Sequence, residues 1–244
     1  MYQPDAIASF RVGPQQFLVT ANEGDSRSSD DFPGFNEEVR LAARVSGVDV
    51  VRLDATAFPN AAALKSNSAL GRLNVTTASG DTDGDGDLDQ IHVFGARSFS
   101  IWTTNGEIVW DSGDQLEQYF ADPANGYATI FNASNNNNTR DDRSDNKGPE
   151  PEGVAVGKVS GRTFAFIGLE RIGGLMAYDV TDPYAPAFAA YANNRGLASV
   201  SGDRGTEGVE FVPAEDSPTG RPLVLLGNEV SRTVSVFQVN TAKR

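Results

Sequence analysis

Short apolar runs of about 5–6 residues, separated by Gly, Asn and Asp turns, dominate this chain, and the 3.6-residue period of helices is scarce. Three stretches share one pattern: an acid opens a strand, a turn-rich connection follows, and a second apolar run ends on another acid. In the first, Asp5-Ala6-Ile7 leads through Phe17-Leu18-Val19 to Asn22-Glu23-Gly24. In the second, Glu152-Gly153-Val154 leads through Phe164-Ala165-Phe166-Ile167 to Leu169-Glu170-Arg171. In the third, Glu207-Gly208-Val209 leads through Leu223-Val224-Leu225-Leu226 to Asn228-Glu229-Val230.

Further strands are expected at 91–94, 98–103 and 107–111, with an Asn-Gly hairpin signal in Thr104-Asn105-Gly106. The second repeat continues through 174–180, a Thr181-Asp182-Pro183 turn and 186–191, and the third through 233–239. Helix is expected only at 59–66, with Pro59 at its first position, and at 114–121. The expected fold is therefore all-β: one domain over 1–244, built of four-stranded units at a period of roughly 55–60 residues. That spacing gives about four blades of a β-propeller, a ring that is very small, incomplete, or completed by a second copy. Two insertions interrupt the rhythm. Residues 25–40 hold Asp25, Arg27, Asp30, Asp31, Glu37, Glu38 and Arg40; residues 132–149 hold an asparagine run and the segment from Asp141 to Gly148.

Composition narrows the function classes. The net charge of −13 disfavours nucleic acid and anionic membrane as partners and favours cations. The absence of cysteine removes disulfides, thiol nucleophiles and Cys-zinc sites. No run approaches the ~20 apolar residues of a membrane span, and the N-terminal segment lacks signal-peptide character. With His92 as the single histidine, a Ser-His-Asp triad and a His-rich zinc site are not expected, and this ring reads as a packed strand residue.

The strongest local motif is Asp81-Thr82-Asp83-Gly84-Asp85-Gly86-Asp87-Leu88-Asp89. Acids at positions 1, 3, 5 and 9 with Gly at 6 suit an oxygen cage for calcium. An EF-hand would place Glu at position 12, where His92 stands, so an Asp-x-Asp-x-Asp-Gly-x-x-Asp hairpin loop of structural kind is expected. The alternative, a bare acidic turn, would crowd five like charges. A second metal set is formed by the repeated acids Asp5, Glu23, Glu152, Glu170, Glu207 and Glu229, which a ring would bring to a shared channel; the alternative is that each caps a turn or pairs locally. Arg27, Arg97, Arg143, Lys147 and Arg171 are near them in sequence and could hold an oxyanion, or could be ordinary surface ion pairs.

Several long segments resemble one family. Tyr2-Gln3-Pro4-Asp5-Ala6-Ile7, Ala21-Asn22-Glu23-Gly24-Asp25, Phe35-Asn36-Glu37-Glu38-Val39-Arg40, Phe94-Gly95-Ala96-Arg97-Ser98-Phe99, residues 143–154 and Gly168-Leu169-Glu170-Arg171-Ile172-Gly173-Gly174 are similar to the choice-of-anchor I group of bacterial surface and secreted β-propellers. The resemblance implies a propeller with further blades before the Tyr2–Asp5 segment, and a secreted, periplasmic or cell-surface location. It also implies one of two activities, since members carry alkaline-phosphatase-like or surface-glycoprotein-like labels. The first expectation is a calcium-type phosphoesterase acting on a small phosphorylated substrate. In it Asp5, Glu23, Glu152, Glu170, Glu207 and Glu229 hold a second divalent cation whose bound water attacks phosphorus, and Arg27, Arg97, Lys147 and Arg171 neutralise the phosphoryl oxygens; acidic-channel phytases are the analogy. The second is a non-catalytic, calcium-stabilised surface module that binds a glycan or protein.

Overall fold

The computed structural model describes residues 1–28 and 33–240, so Asp30 and Asp31 of the first insertion lie outside the described residues. The fold is mostly β. Sheet 1 orders its strands β1-β2-β7-β8, with β1 Ala6–Val12, β2 Gln15–Ala21, β7 Phe99–Thr103 and β8 Ile108–Asp111. Sheet 2 contains β9 Pro151–Val159, β10 Arg162–Leu169, β11 Leu175–Asp179 and β12 Ala187–Ala192, in that order. Sheet 3 has β13 Thr206–Val212, β14 Leu223–Asn228 and β15 Thr233–Gln238. All pairings in these three sheets are antiparallel between neighbours.

Local sequence explains the elements. Ser160 and Gly161, with φ of 52° and 81°, join β9 to β10, as a two-residue hairpin turn of the primed kind requires. Gly106, with φ of 84°, turns the chain between β7 and β8 where Asn-Gly foretold it. Strand β9 alternates buried and less buried residues, whereas β10 is buried almost throughout. Its run Phe164-Ala165-Phe166-Ile167 is apolar on both faces because both faces are covered.

Those two faces define a stack. Toward sheet 1, Ala165, Ile167, Met176 and Tyr178 join Phe10, Phe17, Val19, Phe99 and Ile101 in one core, closed at one end by Leu116 and Phe120. The Phe99 and Tyr178 rings meet edge to face at 4.8 Å. The two closing residues lie on the short helix α2 (Gln115–Ala121), close to the expected 114–121. Toward sheet 3, Val159, Phe164, Phe166 and Leu175 meet Val224 and Leu226, with Val209 and Phe211 against them. Phe166 and Phe211 stack at 5.6 Å. The first strands lie beside one another, β1 against β9 and β9 against β13.

The structure differs from expectation in four places. Among the described residues there are two four-stranded sheets, one three-stranded sheet and two ribbons, rather than about four equal units. The ribbons pair β3 Glu38–Arg40 with β6 Asn74–Thr76, and β4 Arg44–Val45 with β5 Val48–Asp49. Both fall between β2 and β7, so the first insertion runs well past 25–40 and carries its own small core of Leu41, Val51, Leu53, Val75 and Leu88. Residues 91–94 form no strand; their apolar side chains Ile91 and Val93 pack on that core instead, and the His92 carbonyl merely accepts from Thr76 N–H at 3.1 Å. The helix expected at 59–66 shortens to α1, Ala61–Leu64.

Close approach of sheets 2 and 3 depends on a missing side chain. A Cβ on Gly157 would lie 2.4 Å from the Phe211 ring. Gly157→Val therefore forces this interface apart, and urea unfolding is expected to show a loss of about 1–3 kcal/mol, the usual cost of overpacking; an unchanged midpoint would refute the close packing.

Candidate functional site

The repeated acids sit at the strand ends where the sheets meet. Glu23 follows β2, Glu152 opens β9 and Glu170 follows β10. Carboxylate oxygens of Glu23, Glu150 and Glu170 lie within 4.8 Å of one another, all three residues buried. Glu150 is the member that sequence reasoning missed. It stands just before β9 in left-handed backbone, φ 50°, which turns it inward beside Glu152. The Pro149-Glu150-Pro151-Glu152 run was visible, but strand alternation selects only one of two nearby acids, and the repeat pointed to Glu152.

Three cations meet these three carboxylates. Lys147 Nζ is 2.7 Å from Glu23 and 3.3 Å from Glu150, and reaches the exposed Asp25 at 3.2 Å. Arg171 lies 2.9 Å from both Glu150 and Glu170, and Arg143 pairs with Glu150. Asn135 Nδ2 donates to Glu170 at 3.2 Å. Lys147 is only 4% exposed; burial alone would lower its pKa, but Glu150 and Glu23 overcome that and raise it. Burial likewise works to raise Glu150, and the surrounding Lys147, Arg143 and Arg171 hold it below the usual carboxylate range.

Glu152 is left out of this matching. One of its oxygens is buried with no hydrogen-bond partner, and burial with the neighbouring Glu170, Glu23, Glu207 and Asp5 pushes it up to about 9. Burial also drives Glu170 up, to about 8, against the pull of Arg171, while Glu150 adds to the rise. Asp5, Glu207 and Glu229 are exposed. Acids from all three sheets thus act on Glu152, although only Glu23 and Glu170 of the expected six fall in the tight group.

The other expected cations are engaged by acids or carbonyls. Arg27 pairs with buried Glu37 at 2.5 Å and lies over the Phe35 ring. Arg97 pairs with Glu117 at 3.0 Å and donates to the Ser144 and Asn146 carbonyls at 2.6 and 2.9 Å.

The acidic loop forms a second cluster, in the insertion. Asp81 accepts from the Gly84 and Gly86 amides at 2.6 and 3.0 Å, and both glycines adopt the positive φ that this curl needs. Asp83 and Asp85 each accept from the amide two residues on, and Asp89 accepts twice from Thr82. Leu88 anchors the loop in the insertion core and bridges to Leu53. That bridge brings in Asp54: oxygens of Asp54, Asp87 and Asp89 lie within 4.8 Å, as do those of Asp81, Asp83 and Asp89. Asp54 was not legible, because it is close to the loop only through the bridge. One Asp87 oxygen is buried and unpartnered, and the principal nearby cation, Arg52, donates instead to the Gly86 carbonyl at 2.9 Å. An all-oxygen donor set that is short of positive charge fits a hard cation such as calcium.

These features define a mostly β protein of stacked antiparallel sheets, with a charge-matched cluster at the sheet ends and an acidic loop in an insertion. The chain belongs to the choice-of-anchor I domain family, whose match spans residues 1–183. It is 30% identical over 193 residues to gigasin-3a of Magallana gigas, covering 72% of this chain and 66% of that protein. It is 25% identical over 277 aligned positions to the mesenchyme-specific cell surface glycoprotein of Strongylocentrotus purpuratus, covering 98% of this chain but 34% of that protein. The chain thus spans just under two thirds of the first relative's length and about a third of the second's. No solved structure matches it significantly. No helix among the described residues is long and apolar enough to cross a membrane.

A raised folded-state pKa makes Glu152 a pH-dependent liability. Above its ordinary value of 4.5 the unfolded chain ionises freely while the folded chain holds the proton, so stability falls as pH rises toward about 9. In chelator, Glu152→Gln is expected to melt higher than the parent at pH 8, by about 2–4 °C for each kcal/mol relieved. The difference should vanish near pH 4, and a gap that is independent of pH would reject this electrostatic account.

Proposed function

We propose that the three stacked sheets are part of a β-propeller and that the protein is a non-catalytic, calcium-stabilised binding module of the cell surface or extracellular space. One observation carries this reading: each cation expected to neutralise a phosphoryl group is already held by carboxylates. Lys147 and Arg171 face Glu23, Glu150 and Glu170, Arg27 faces Glu37, and Arg97 faces Glu117. A matched, buried set of charges fixes the meeting of strand ends; removing one partner of such a set commonly costs about 3–5 kcal/mol. The adjacency of β1, β9 and β13 supports the propeller, in which first strands line the axis. A relative named as a cell surface glycoprotein supports the location.

Calcium in this reading is held by Asp81, Asp83 and Asp89 with Asp85, Asp87 and Asp54 beside them. An open cleft of about 650 Å³ adjoins the loop and is lined by Arg44, Arg52, Lys65, Asp49 and Asp87. Its charged walls suit a polar ligand such as an acidic glycan, with calcium holding one wall in place. Calcium at a hundredfold excess over its Kd is expected to add about 2.7 kcal/mol to stability. Differential scanning calorimetry of the parent and of Asp89→Ala tests this, since Asp89 belongs to both acid groups; an equal response of the two proteins to calcium would remove the site.

The phosphoesterase reading keeps one favourable feature, the unpartnered Glu152 oxygen near Glu170 and Glu23, where a second divalent cation could be held. Chromogenic phosphomonoesters and phosphodiesters separate the two readings. No turnover is expected with calcium, magnesium, manganese or zinc; turnover that disappears in Glu152→Gln would establish the hydrolase in its place.

A further inference from the structure

The cleft beside the acidic loop is lined only by residues of the insertion between β2 and β7. Arg44 and Asp49 stand on the β4–β5 ribbon, Arg52 lies between β5 and α1, Lys65 follows α1, and the loop supplies Asp87. Most of the remaining lining is small and apolar, from Ala42, Leu53, Ala61 and Ala62, and it includes no aromatic ring. A cleft of about 650 Å³ is of the size that holds a small ligand.

The charges of its walls are unevenly matched. Asp49 takes Lys65 at 2.8 Å and Arg44 Nε at 2.5 Å, and Lys65 Nζ also donates to the Val51 carbonyl. Lys65 is thereby engaged twice, whereas Arg44 uses only its Nε. Arg52 is exposed and forms no ion pair among the described residues. Its Nη2 donates to the Gly86 carbonyl at 2.9 Å, one residue from Asp87. Asp85, Asp54 and Asp89 repel Asp87, and Arg52 attracts it. Arg52 therefore faces two ways: it is a wall of the cleft and a counter-charge to a crowded acid.

That double position ties the cleft to the loop. In chelator, the acids around Asp87 draw Arg52 toward themselves and oppose the entry of an anion into the cleft. A divalent cation on Asp54, Asp87 and Asp89 cancels two negative charges of that wall. The guanidiniums of Arg52 and Arg44 are then surplus positive charge facing a ligand. Guanidinium forks match planar carboxylates through paired hydrogen bonds, and the small apolar residues leave room for the C–H face of a sugar ring.

We infer that this cleft binds a carboxylate-bearing saccharide, and that Arg52 passes from the acidic loop to the saccharide carboxylate once calcium occupies the loop. The inference rests on the calcium reading proposed above, and adds to it the class of ligand and the way its binding is gated. The gating is reciprocal: the factor by which calcium tightens the saccharide is the factor by which the saccharide tightens calcium.

Isothermal titration calorimetry of the 244-residue chain with calcium, and with a hyaluronan tetrasaccharide in calcium or in chelator, tests this. The parent is expected to bind the tetrasaccharide about tenfold more tightly in calcium than in chelator, and to bind calcium about tenfold more tightly when the tetrasaccharide is saturating. A carboxyl-reduced tetrasaccharide and inorganic phosphate should both bind more weakly. Arg52→Gln, at an exposed position, should bind calcium at least as tightly as the parent does alone, yet lose the tetrasaccharide and the coupling. Equal affinity in calcium and chelator would overturn the gating. Reduced tetrasaccharide or phosphate binding as tightly as the acidic form would overturn the ligand class, and coupling retained in Arg52→Gln would overturn the role of Arg52. Calcium uptake with no tetrasaccharide binding would overturn this inference and leave the calcium reading standing; no calcium uptake would overturn that reading too.

Discussion

One buried lysine and two half-buried arginines, set against three buried carboxylates, hold this structure at the point where its sheets converge. Lys147 connects the end of β2 in sheet 1 to the start of β9 in sheet 2 through Glu23 and Glu150, and Arg171 ties Glu150 to the end of β10. Burying any of these groups alone would be costly, and only the set is tolerable. The network also explains why residues 147–150 are buried in a segment that reads as an irregular polar loop: Arg143 and Lys147 supply the counter-charges to Glu150 and Glu23.

The same arrangement bears on function. Acid-rich strand ends suggest a metal channel, yet charges placed to neutralise a substrate are of no use to it once they neutralise the protein. Glu152 is the exception, because it is near Glu170, Glu23, Glu207 and Asp5 and forms no ion pair among the described residues.

The insertion between β2 and β7 behaves as a separate small unit with its own apolar core. Its acidic loop is held from beneath by Leu88 and from the side by Asp54 and Arg52. A cation there would stabilise the insertion and the adjoining cleft without touching the strand-end cluster. A cation bound there and the chemistry of the glutamates would therefore be separable.

Much of the fold was legible in the residues. Alternating apolar runs, Gly and Asn-Gly turns and the three acid-led repeats located most strands, because strand burial imposes a period of two and tight turns demand particular backbone angles. The acidic loop was equally local, since the spacing of its aspartates and glycines sets the curl that gathers Asp81, Asp83 and Asp89. What sequence could not decide was which charges meet. Glu150 and Asp54 reach their clusters through a backbone turn and a bridge between distant segments, and the expected phosphoryl-binding cations are matched by partners as far away as Glu23 is from Lys147. Residues 91–94 looked like a strand but pack on the core of an insertion whose extent the pattern hid. Local periodicity sets secondary structure, whereas pairing of buried charges depends on separations of many residues, and only the packed chain determines those.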